Sequence, residues 1–133
     1  MTLRFRFADP ALPVSAIPRL RQLTNLSIAE LRSRVADGVP LLEIAAFEND
    51  WHDAREVLAT LARDIANGSL RLSVSEFDDG DQAETPLSAE DLRGILSHYR
   101  EIELQDQRSE DLRMGAIQEP SEFEPHDNDW TQL

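Results

Sequence analysis

All of the chain's charge imbalance falls beyond residue 75. Residues 1–75 hold nine acidic residues against nine arginines and are neutral; residues 76–133 hold 17 against four, which is the whole formal charge of −13. Dense like charge opposes collapse through self-repulsion. A packed unit is therefore expected first in the neutral part, with the acidic part added to it as surface. The same imbalance excludes partner classes. A binder of nucleic-acid phosphates needs a basic surface, and an anionic membrane would repel this chain. The chain has no cysteine, so disulfides and cysteine-ligated zinc are excluded. No apolar stretch approaches the ~20 residues of a membrane span, and no signal-peptide pattern opens the chain, so a cytoplasmic location is expected.

Within residues 1–76 the periodicities alternate between those of strand and helix. Leu3, Phe5 and Phe7 alternate with Arg4 and Arg6, the pattern of a strand with one buried face. Asp9-Pro10 and Pro13 end it. Ser15 is placed to cap a short helix carrying Ile17, Leu20 and Leu23, with Pro18 in the first turn, where no helical bond is lost. Ser27 to Glu30 has the spacing of a capping box and opens a second helix bearing Ile28, Leu31 and Val35, which Asp37-Gly38 stops. Pro40 to Phe47 is an apolar run of strand length, with Leu42, Ile44 and Ala46 on one face and both faces expected to be covered. Asn49 or Asp50 then caps a helix of about Trp51 to Asn67, with Gly68 as its left-handed stop. Leu70, Leu72 and Val74 alternate with Arg71, Ser73 and Ser75 as a third strand. The expected fold class is α+β: a two-layer β-α-α-β-α-β unit with a three-stranded sheet, its outer face carrying Arg4, Arg6 and Arg71. An additional helix and an acidic C-terminal extension follow.

This order resembles the C-terminal domain of the bacterial ribosomal stalk protein and, more loosely, the Clp protease adaptor fold. The local match is Thr24-Asn25-Leu26-Ser27-Ile28-Ala29-Glu30-Leu31-Arg32, and Gly38, Ala54 and Gly68 fall near the family's turn and packing positions. The resemblance covers about residues 3 to 76. It implies a protein-binding face on the two helices before the second strand, where Arg21 and Arg32 stand on basic positions. Pro18 occupies the place of a family lysine and Gln22 that of a family glycine.

The rest of the chain divides into an acidic helical extension over 77–118, expected to pack on the first unit, and an acidic, flexible or partner-docked tail over 119–133. Ser88 and Asp91 form a second capping box, opening a helix with Leu92, Ile95, Leu96, Tyr99 and Ile102 on its stripe. The arginine-bearing sheet face is the expected place for that helix. No element is assigned around Leu112, Met114 and Ile117. Aspartates around Gly80 invite a calcium reading, but Phe77 and Pro86 stand where an EF-hand loop needs oxygen ligands. Phe123 and Trp130, flanked by acids, have the character of interface anchors, although a tail folded onto its own domain fits the same residues.

No catalytic constellation is legible. There is no glycine-rich phosphate loop and no Gly-x-Ser-x-Gly elbow, and His52, His98 and His126 show no ligand spacing. The expectation is therefore a non-enzyme with no metal and no cofactor, acting by binding a basic protein and contacting neither nucleic acid nor membrane. By functional class it resembles bacterial immunity proteins, small acidic inhibitors that occlude the cationic cleft of a cognate toxin such as a nuclease. The expected contacts are Asp78, Asp79, Asp81 and Glu84 after the third strand, Glu101, Glu103 and Asp106 on the last helix, and Glu122, Phe123, Glu124, Asp127, Asp129 and Trp130 in the tail. Two alternatives use the same composition differently: a stalk-like adaptor module acting through Arg21 and Arg32, and a nucleic-acid mimic that blocks a host DNA- or RNA-binding protein.

Overall fold

The alternation of residues 2–7 becomes the central pairing of a sheet. The computed structural model describes residues 1–78, 80 and 83–132. Among them, β1 (Thr2–Phe7) lies between β2 (Leu42–Ala45) and β3 (Leu72–Phe77), and β4 (Thr85–Leu87) completes the antiparallel order β2-β1-β3-β4. The register sets Phe5 opposite both Leu42 and Val74, so one face is apolar. The other face sets Arg4 opposite Glu43 and Ser75. The class is mixed α+β, as expected, but the sheet has four strands rather than three. Thr85–Leu87 is too short, and too interrupted by Pro86, to show the alternation that announces a strand.

Among the described residues four α-helices accompany the sheet: α1 (Ile17–Thr24), α2 (Ile28–Asp37), α3 (Trp51–Ala66) and α4 (Ala89–Met114). Their buried side chains, including Leu20, Leu31, Leu58, Leu61, Leu92 and Leu96, join Leu3, Phe5 and Val74 in one core. Both capping boxes form. Ser27 accepts from the Glu30 amide at 3.1 Å, and Ser88 from the Asp91 amide at 3.0 Å. In each, the carboxylate returns to the capping residue's own amide, which lowers the Asp91 pKa from its usual value. Gly38, at φ +67°, ends α2 in the left-handed region that a side chain would strain.

Three local expectations are corrected. Ser15 lies in a 3-10 turn over Val14–Ala16, so α1 starts after Ala16, whose side chain has no oxygen to cap with. Phe47 leaves the strand at φ +63° and turns its ring toward Trp51, which ends β2 at Ala45. The long last helix does not lie over the arginine face. It packs against α3 and β4, and its stripe enters the same core as the other helices. It also continues through the unassigned stretch to Met114, where Gly115 at φ +76° stops it.

Replacing Ser88 with alanine should cost about 1 kcal/mol of global stability, the usual effect of losing an N-cap acceptor. Urea unfolding of the pair of proteins measures it. An unchanged midpoint would mean that α4 is held by its packing alone.

Candidate functional site

Helical spacing brings a carboxylate into the interior. Leu92, Leu96, Tyr99 and Glu103 follow one another at steps of three and four, so Glu103 continues the buried stripe of α4. On α3 the same spacing sets Arg55 one turn after Trp51, also inward. A charge at such depth is tolerated only when it is paired and hydrogen-bonded. Glu103 is surrounded accordingly. Its Oε2 accepts from the Trp51 indole N–H at 2.9 Å and from Arg55 at 2.6 Å. Its Oε1 accepts from the Trp130 indole N–H at 2.7 Å and from Arg100 at 3.2 Å. Asp127 completes the cluster, accepting from Arg55 and Arg100 at 2.8 Å each and from Gln107 at 3.1 Å. Two guanidiniums and two carboxylates leave it neutral.

The cluster binds the tail to the body. After Gly115 the chain reverses and runs back along α4. His126 meets Asp111 and Gln107, Asp127 meets Gln107 and Arg100, and Trp130 meets Glu103. Trp130 is 7% exposed, with its ring edge-on to Trp51 at 5.7 Å between centroids. Trp51 in turn meets Tyr99 and Phe47 at 5.8 and 5.1 Å. The Tyr99 hydroxyl is buried with no partner among the described residues, and burial pushes its pKa up to about 12.

A second cluster covers the arginine face. Glu84 bridges Arg6 by two bonds of 2.6 and 3.0 Å, accepts from Ser75 at 2.7 Å and also bonds Arg4. Arg4 reaches Glu43 at 2.8 Å and stacks over the Phe77 ring. Arg6, then Ser75 and Arg4, hold the Glu84 carboxyl well below the usual range.

The expected contact residues thus separate into two groups. Glu103, Asp127 and Trp130 are engaged inside the molecule, and Glu84 is engaged on the sheet. Asp78 is exposed, 3.5 Å from the N-terminal ammonium. Phe123 is half-buried, its ring 6.1 Å from that of His126, and Asp129 is exposed but accepts from the Thr131 amide and hydroxyl. Glu101, Asp106, Glu122 and Glu124 are exposed and make no ion pair among the described residues. Asp79 and Asp81 lie outside the described residues. The sequence reading missed Arg55, Arg100, Gln107 and Trp51 as members of a polar cluster. The signal was present: an arginine and a glutamate sit on stripes otherwise occupied by Trp51, Leu58, Leu96 and Tyr99.

Because the interior clusters are internally balanced, the surplus charge remains on the outside. Leaving aside Glu103 and Asp127, which Arg55 and Arg100 balance, residues 101–133 carry eight acids against two arginines, a net of −6. Among the described residues no helix is long and apolar enough to cross a membrane, and no group of three potential metal ligands comes together. In comparisons with family models, curated proteins and solved structures, nothing matches the chain.

Burial works to raise the pKa values of Glu103 and Asp127, but the bonds each accepts outweigh it and both end below the usual range. Carboxyls depressed in the folded state contribute stability above their unfolded pKa, near 4, and lose it as pH falls toward the folded values. As pH falls from about 4 toward those folded values the hold on Trp130 should weaken progressively, seen as a red shift of tryptophan fluorescence that grows with acidification. Retention of the neutral-pH spectrum throughout that range would show that the carboxylates do not hold the tail. Replacing Glu103 with alanine removes one of the two carboxylates that Arg55 and Arg100 share and takes the acceptor from both indole N–H groups, and should cost about 3–5 kcal/mol in urea unfolding.

Proposed function

We propose that this chain is a non-catalytic acidic inhibitor of the kind represented by bacterial immunity proteins, which binds a basic protein and occludes its cationic functional surface. A toxin that acts on nucleic acid fits the chemistry, because its cleft must carry positive charge to hold phosphates. The observation that supports this reading most is the anchored tail. Asp127 and Trp130 fasten an acidic segment along α4, so Glu122 and Glu124 need not be ordered at the moment of binding. Prior ordering lowers the entropic cost of association, and complementary fields raise encounter rates. An exposed carboxylate contributes little alone, so the surface acts as a sum.

The test is capture of partners from the producing cell on the immobilised protein, elution with salt, and mass spectrometry. One basic, growth-inhibiting protein is expected, and the isolated pair should associate more slowly as salt rises. Reversing Glu101, Glu122 and Glu124 to arginine should slow association by roughly tenfold or more at low salt, with the fold intact by circular dichroism. An association rate indifferent to salt and to these reversals would sink the proposal.

A second reading, the stalk-like adaptor, draws on Arg21 and Arg32, which are exposed and make no ion pair among the described residues. Arg21 lines an open hollow with Pro18, Gln22 and Leu26. Reversal of both arginines would abolish capture under this reading and leave it unchanged under the first. Recovery of a host nucleic-acid-binding protein would favour mimicry.

A further inference from the structure

β1 and β3 are interior strands, so the sheet ends at β2 and β4. The two edges differ. β4 has three residues and includes Pro86, which has no N–H to offer an incoming strand. β2 has four residues and no proline. The Ala46 amide donates to the Met1 carbonyl at 3.0 Å, which fixes the phase of the ladder. The Leu41 amide donates to the Phe5 carbonyl at 2.7 Å at the other end, and in the alternation between them Ile44 faces β1 while Glu43 and Ala45 turn their N–H and C=O groups outward.

A groove of about 500 Å³ lies against this edge. One part of it is apolar, formed by Leu23 of α1, Leu42 and Ile44 of β2, and Ala54 and Val57 of α3. The other part is acidic: Glu43, Glu48, Asp50 and Asp53 line it, and no arginine or histidine does so among the described residues. Glu43 is already paired with Arg4, whereas Glu48, Asp50 and Asp53 make no ion pair among the described residues. The Asp50 carboxylate stands at the N-cap of α3 without bonding the helix. An apolar bed, an acidic rim and two outward peptide units are the three elements of strand-addition recognition. The main chain supplies affinity, and alternate side chains supply specificity.

We infer that the free edge of β2 takes up an extended, basic segment of a partner protein as a fifth strand. Alternate apolar residues of that segment enter the groove over Leu23, Ala54 and Val57, and its arginines or lysines meet the acidic rim of Glu48, Asp50 and Asp53. The occupant's charge follows from the rim, and its extended form from the register. This rests on the proposed function in one respect, that the partner is a basic protein. It assigns a contact distant in sequence from the tail, from residues none of which was expected to bind.

The test uses the full chain, isotope-labelled for NMR, titrated with a short synthetic peptide of alternating arginine and valine. The Glu43 and Ala45 amides should shift and exchange more slowly with solvent. A peptide of alternating glutamate and valine should produce neither effect. The double variant Glu48→Arg, Asp53→Arg should weaken binding by roughly tenfold, and reversal of Glu101, Glu122 and Glu124 should leave it unchanged. No response at about millimolar peptide, equal response to the acidic peptide, or shifts confined to α4 and the tail would overturn the inference. If the peptide fails while tail reversal still slows capture of the basic partner, only this inference falls. If the peptide binds at β2 and tail reversal has no effect on capture, this one stands and the tail reading falls.

Discussion

One carboxylate organises the second half of this protein. Glu103 receives hydrogen bonds from two indoles and two guanidiniums contributed by α3, α4 and the tail. A buried carboxylate with fewer donors would be a liability, because desolvation of an ion costs several kcal/mol. With all four donors present, the same charge dictates where three segments meet. Apolar packing alone would let Trp130 settle in several orientations, whereas the indole N–H must point at Oε1. Asp127 then shares the guanidiniums of Arg55 and Arg100, and the tail is fixed at two points three residues apart.

The sheet solves a related problem on its other face. Arg4 and Arg6 are adjacent on one face of β1 and would repel each other. Glu84, just before β4, lies between them and Ser75. A carboxylate from the acidic half therefore completes the neutral half. The charge division visible along the sequence is thus not a division in space.

Much of the fold was legible because its signals are local. The capping boxes at Ser27 and Ser88 and the stops at Gly38 and Gly68 rest on interactions within a few residues, and the structure contains each of them. The fourth strand was not legible, since three residues containing Pro86 carry no periodicity and pair only because β3 offers an edge. The placement of α4 was misjudged for a similar reason: a stripe shows that a helix has a buried face but not which surface receives it. For the candidate surface, composition marked the acidic residues but could not separate those that bind inward from those left outside. Glu103 and Glu101 are neighbours in sequence and alike in chemistry. About 200° of helical rotation places one in the interior and the other in solvent.

The reversal at Gly115 lays one acidic segment alongside another, with a consequence for ionic strength. Exposed carboxylates of α4 and the tail repel across the gap, and dissolved ions screen that repulsion. The charges that hold the tail, buried Arg55, Arg100 and Glu103 with half-buried Asp127, are screened less. Added salt therefore tightens the hairpin of helix and tail even as it weakens the pull of this surface on a cationic visitor. Internal cohesion and outward attraction respond to the same ions with opposite sign.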